Sequence, residues 1–167
     1  MPFFLYCWLM VCSFYMGPIM AKSNLETYGY IEKATLIDND LTVSAKLDTG
    51  AKSASLNATH IKEVTKNEKH YLTFIVPSRQ GDKFFECEYI GKVNIKNRAE
   101  ENHSTLLRKS VRRPVVLMNI RLGNKTRTIR VNLTNRKHFI YPMLLGREAI
   151  LAFDGVVDPN LKYTRSY

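Results

Sequence analysis

Beyond Ala21 the chain alternates apolar and polar residues with a period of two, in short runs separated by turn residues. Successive side chains of a strand point to opposite faces, so this pattern predicts half-buried β-strands. Strands are expected over Tyr28–Ile37, Leu41–Leu47, His70–Val76, Lys83–Val93, Pro114–Leu122 and Thr126–Leu133. Asp38-Asn39-Asp40 turns the first pair into a hairpin, Pro77–Asp82 is a hairpin tip, and Gly123-Asn124 closes the last pair. Ala51–Asn57 continues the chain, and Thr59–Val64 reads equally as a short helical turn or a strand. Phe139–Leu145 is apolar but contains Pro142, which predicts an irregular or edge strand. Arg147–Phe153, between Gly146 and Asp154-Gly155, predicts one short helix, and Val156–Pro159 a last short strand. The polar stretch Asn94–Arg113 reads as a long exposed loop. The expectation is an all-β domain with a single helix near its end.

A length of 167 residues suits one ordinary domain. Residues 1–21 carry no charge and are mostly apolar, with Gly17-Pro18 and Ala21 before Lys22. They read as a signal peptide cleaved near Ala21, or else as an uncleaved N-terminal anchor, leaving residues 22–167 as the domain. The expected location is periplasmic or secreted, or anchored to the inner membrane by residues 1–21. Cys7 and Cys12 lie in that segment and only Cys87 lies beyond it, so the domain has no internal disulfide. The alternation Phe85, Cys87, Tyr89 places Cys87 on an inward face as a small core residue. The net charge of +10 is spread from Lys22 to Arg165 and not gathered in an arm. With no zinc knuckle, helix-turn-helix signal or ribonucleoprotein aromatic motif, nucleic acid is disfavoured as the main partner. A membrane enters only through an uncleaved N-terminus.

The candidate chemistry sits at Lys46-Leu47-Asp48-Thr49-Gly50-Ala51. A strand delivers one carboxylate, Asp48, into a tight turn. The Thr49 hydroxyl is suited to bonding nearby backbone, and Gly50 to a sharp turn beside the carboxylate. A carboxylate held on a rigid loop can act as a general base toward water. An ordinary turn uses the same residue types, so the triplet needs support from elsewhere. That support is Tyr141-Pro142-Met143-Leu144-Leu145-Gly146-Arg147. An apolar strand ending in Gly can cross the Asp loop with backbone against backbone.

On these two motifs the chain resembles the retropepsin-like aspartic endopeptidases. It is most similar to the bacterial RimB-like family, long labelled "ATP-dependent zinc protease" and found beside the RimK glutamate ligase. The resemblance runs from about Tyr28 to Tyr163. It also rests on Arg113-Pro114-Val115-Val116, Asn132-Leu133-Thr134-Asn135-Arg136 and Val157-Asp158-Pro159. It implies a closed or strongly curved retropepsin-like β-barrel with one short C-terminal helix. It implies a catalytic Asp48, with Thr49, Gly50, Ala51, Leu144, Leu145, Gly146 and Arg147 as the supporting loop. Lys52 stands where viral relatives have an Asp that pairs with the Arg after the second Gly. Arg147 therefore needs another partner, and Asp154 or Asp158 is expected to serve.

Aspartic peptidase chemistry needs two carboxylates that share a proton. The sequence has one Asp-Thr-Gly and no second copy, so a homodimer with Asp48 from each subunit is expected. Pro77–Asp82 or Asn94–Arg113 would be the flap over the cleft. The expected partner is a peptide or protein substrate, and the basic charge favours acidic ones. His60, His70, His103 and His138 are scattered, with no metalloprotease spacing and no phosphate-binding loop, so neither metal nor other cofactor is expected. Two other readings stand beside the enzyme: an envelope binding module that keeps the peptidase fold without catalysis, and a basic protein that binds polyanions.

Overall fold

The computed structural model describes residues 25–96 and 110–164. The expected signal or anchor at 1–21 and the middle of the predicted Asn94–Arg113 loop lie outside them. The strands in chain order are β1 (Glu26–Gly29), β2 (Ile31–Leu36), β3 (Leu41–Asp48), β4 (Ala54–Asn57), β5 (Thr59–Lys66), β6 (Lys69–Val76), β7 (Lys83–Lys96), β8 (Ser110–Leu122), β9 (Lys125–Thr134), β10 (Met143–Gly146) and β11 (Gly155–Asp158). The one α-helix among the described residues, α1 (Arg147–Ala152), follows β10 directly.

Strand order β2-β3-β10-β4-β9-β8 closes on itself through β2–β8 pairing, giving a six-stranded barrel. Closure removes the unpaired edges that an open sheet would present. Inward positions are the apolar halves of the alternating runs. Leu41, Val43, Ala45 and Leu47 of β3 are buried, while Thr42 and Lys46 between them are exposed. Beyond the barrel, β7, β6 and β5 extend the sheet from the first half of β8. Phe74 and Phe85 pair across β6 and β7 and stack with ring centroids 5.6 Å apart, joining this extension to the same core. Cys87 is buried on the same face of β7 as Phe85, as the alternation predicts.

The chain departs from the predicted boundaries at three places. Tyr28–Ile37 is two strands. β1 leaves the barrel to pair in parallel with β11. Tyr28 is fully buried there against Gly155, where an added Cβ would stand 2.9 Å from the Tyr28 ring. The buried Glu32 carboxylate accepts the Gly29 N–H at 2.7 Å, and the Tyr30 N–H goes to Leu161 O. Second, Asn94–Lys96 and Ser110–Arg113 are strand, not loop: β7 and β8 pair out to Lys96↔Ser110. Most side chains of this ribbon are polar, and even Val93, Ile95 and Arg113 on its cleft side are only half-buried, which is why its sequence reads as a loop. Third, the apolar run at Phe139 is not an edge. Its strand is only Met143–Gly146, and it lies inside the barrel between β3 and β4. Pro142 has no N–H for a ladder, so the strand starts after it, leaving Phe139 and Ile140 exposed. The segment Thr59–Val64 takes the strand alternative, with an irregularity between Thr59 and Lys62.

Candidate active site

β3 and β10 run parallel in the register Ala45↔Met143, Lys46↔Leu144, Leu47↔Leu145 and Asp48↔Gly146. The two sequence motifs therefore lie side by side, with the carboxylate-bearing residue opposite the glycine. Met143 and Leu145 are buried in the core, while Leu144 lines the cleft that holds Asp48.

Gly146 is where the backbones meet. A Cβ there would stand 2.6 Å from Ser53 O and 2.9 Å from Ala51 O. This closeness lets the start of α1 clamp the Asp loop. The Arg147 N–H donates to Ala51 O at 2.9 Å, and the Glu148 N–H to Lys52 O at 3.1 Å. The first N–H groups of a helix lack partners within it, so here the loop serves as the helix cap. The other end of α1 is held by cations. Lys125 Nζ donates to Phe153 O at 3.0 Å, and Arg127 Nε to Ala152 O at 2.9 Å.

Within the loop, the Gly50 N–H donates to Asp48 Oδ1 at 2.9 Å, and the Ala51 N–H to Asp48 O at 3.2 Å. Lys46 Nζ is 4.0 Å from Asp48 Oδ2, a partly exposed pair of small energetic weight. Gly50 has no left-handed backbone. An added Cβ would approach Asp48 Oδ1 to 3.2 Å, so its lack of a side chain makes room for the carboxylate. Thr49 is exposed, and its hydroxyl makes no hydrogen bond among the described residues, contrary to the expected tether. What holds that position is its carbonyl, which accepts from Arg147 Nη1 at 2.9 Å.

That bond also corrects the expected partner of Arg147, which is neither Asp154 nor Asp158. Asp154 is taken by Lys125 at 3.1 Å and Arg127 at 3.4 Å, and these cations hold its carboxyl below the ordinary range. Asp158 accepts the Asn160 N–H at 2.8 Å. Arg147 steadies the Asp loop through a carbonyl and needs no acidic partner to do so.

Asp48 faces an open cleft of about 1440 Å³ whose walls include Arg113, Asn132, Arg136 and Ser55. The β7–β8 ribbon reaches it at Val93–Ile95 and Arg113, whereas no residue of Pro77–Asp82 does. Asn132, buried on β9, joins the two walls. Its Nδ2 donates to Ser53 Oγ at 3.2 Å and to Ala54 O, and its Oδ1 accepts from Arg113 Nη1 at 3.4 Å. Arg136 is 6% exposed, lies 4.2 Å from the Phe139 ring, and donates to Tyr141 O and Ser55 Oγ. Among the described residues, Glu148 is the other carboxylate on the cleft wall, and it lies 3.6 Å from Lys52 Nζ. Among the described residues no three His, Cys, Asp or Glu side chains converge on a point.

Arg113, Asn132 and Arg136 fall in segments that carry the resemblance, yet the sequence assigned them no role. The available signal was a polar or charged residue inside otherwise apolar strand sequence, as with Asn132 between Val131 and Leu133.

Comparison with known proteins agrees with this geometry. The model of the family described as "Retropepsin-like aspartic endopeptidase RimB" matches residues 27–167. A solved structure of a protein of unknown function from Legionella pneumophila is similar, with 56% identity and a TM-score of 0.74, covering 86% of this chain and 99% of that one. Proteins named "Probable alpha-L-glutamate ligase" match over 71% of this chain: one from Shewanella pealeana at 30% identity and one from Parasynechococcus marenigrum at 32%. The chain spans about a quarter of the length of these curated relatives. With a barrel that pairs Asp48 to Gly146 and a family match over nearly the whole described region, the chain belongs to the RimB-like family of retropepsin-like aspartic endopeptidases.

Proposed function

We propose that the protein is an aspartic endopeptidase whose catalytic pair is Asp48 from each of two identical subunits. The observation that carries this reading is the Asp48 loop. Its carboxylate is aimed into an open cleft by the Gly50 N–H, and its backbone is held by Arg147 and the start of α1. Such a fixed carboxylate is prepared for one task, removing a proton from a positioned water. Hydrolysis also needs a proton donor at the scissile carbonyl. Two carboxylates in close contact cannot both ionise, so one retains the proton the other lacks. The ionised group takes the proton of the attacking water, and the protonated group gives its own to the carbonyl oxygen. Breakdown of the tetrahedral intermediate sends a proton to the leaving nitrogen and restores the pair.

The second carboxylate comes from a second copy under this reading, because Glu148 is drawn to Lys52. The acidic-substrate expectation is supported by the net charge of +10. It also fits relatives whose names describe ligation of glutamate. On this reading the two activities would make and cut acidic peptide.

Asp48→Asn keeps the size of the side chain and removes the shared proton. Cleavage of a peptide library at mildly acidic pH is expected to fall by at least about 10³-fold. Proteolysis that survives Asp48→Asn at the native rate would eliminate the reading. The same chain with specific peptide binding, no cleavage and no dimer would instead be a binding module that keeps the peptidase fold.

A further inference from the structure

Among the described residues, two guanidinium groups in the cleft have no anionic partner. Arg113 makes one hydrogen bond among the described residues, the 3.4 Å contact to Asn132 Oδ1, and its solvent-inaccessible Nε–H has no acceptor. Arg136 is nearly fully buried, and among the described residues its guanidinium donates only to neutral oxygens, Tyr141 O and Ser55 Oγ. No carboxylate among the described residues pairs with either one. The carboxylates that share their cleft, Asp48 and Glu148, lie beside Lys46 and Lys52 respectively. Burial lowers the pKa of both arginines, and the charge of Arg113 lowers that of Arg136 further. A buried cation is normally paired, because removing it from water is costly. Two like charges on one wall, Arg136 buried and Arg113 half-buried, retain part of that cost until an anion arrives.

We propose that Arg113 and Arg136, held by Asn132 and Ser55, form a subsite that binds an acidic side chain of the substrate beside Asp48. The planar fork of arginine suits a carboxylate, and Arg113 retains unused donors for it. Asn132 ties this subsite to the catalytic loop, because the amide that holds Arg113 also bonds Ser53 and Ala54, which follow Asp48. A carboxylate bound there would register the peptide against Asp48. The assignment rests on the peptidase reading only for the ligand being a peptide.

The test uses the full chain carrying Asp48→Asn, so that nothing is cut. Fluorescence anisotropy measures its affinity for labelled hexaglutamate and for labelled hexaglutamine. Hexaglutamate is expected to bind at least about tenfold more tightly. Adding Arg113→Met is expected to remove most of that preference, and Arg113→Lys, which keeps charge without the fork, to remove part of it. Lys62→Met, an equal charge change on the exposed face of β5, controls for general electrostatic attraction and is expected to shift the preference less than about twofold. Equal affinity of the unsubstituted arginine pair for both peptides overturns the proposal, whatever the variants do. So does a glutamate preference that survives Arg113→Met in a folded protein. If the native chain cuts no peptide yet shows the Arg113-dependent preference, the subsite stands and the peptidase reading falls. If it cuts both peptides with one KM, and Arg113→Met leaves that unchanged, the reverse holds.

Discussion

At Gly146 there is no room for a side chain, and the neighbours that fill the space are backbone. A methyl group there meets Ser53 O and Ala51 O at 2.6 and 2.9 Å, so either α1 or the Asp loop must move. Gly146→Ala is expected to destabilise the fold by about 1–3 kcal/mol, as overpacking does. It should also lower activity beyond what stability explains, and denaturant melts beside kcat at a temperature where the variant is folded separate the two. Cys87 shows the opposite situation. Burial first, and then the charges of Asp38 and Glu86, push its thiol up to about 12. A thiol is reactive as its thiolate, so Cys87 is expected to resist iodoacetamide in native protein at neutral pH and to react fully once unfolded. Mass spectrometry of both samples checks this. The sequence made both residues legible for local reasons: Cys87 shares a face with Phe85, and Gly146 ends an apolar run. Arg113, Asn132 and Arg136 were not legible as a group. What unites them is the pairing of β9 with β4 and β8, contacts between residues distant in the chain.

Among the elements, α1 stands out because six residues are too few for a helix to persist by itself. Its N–H groups rest on the Asp loop and its last carbonyls on Lys125 and Arg127 of β9. Asp154, just past the helix, draws those two cations together, and Lys125 also reaches Glu26 of β1 at 3.6 Å. The depressed pKa of Asp154 means that its ion pairs stabilise the protein above the ordinary carboxylate value, near 3.8, and cease to do so as pH falls through the lowered one. Asp154→Asn is therefore expected to lower Tm modestly near neutral pH and by less at about pH 2. Calorimetric scans at both pH values measure this. A Tm difference that grows toward acid pH would contradict it. The helix itself could be read from Gly146 and Asp154-Gly155 on either side of it. The extent of β7 and β8 could not, because alternation is informative only where one face is dry. Similarly, Pro142 signals an edge in general, but here it marks the entrance to a wall strand of the barrel that is paired on both sides.

For the whole molecule, the barrel lays a strand from late in the chain between two early ones and so brings Asp48 opposite Gly146. The period-two pattern indicated a β fold, but only the β2–β8 pairing closes it, and no local signal encodes that. The central functional claim is that one chain supplies half of a catalytic pair. Mixing native protein with Asp48→Asn at constant total concentration, and allowing subunits to exchange, tests it directly. If each active centre needs Asp48 from both subunits, activity follows the square of the native fraction. An equal mixture then retains about a quarter of the native rate. A rate that falls in simple proportion to the native fraction would mean that each chain works alone, and would contradict the shared centre.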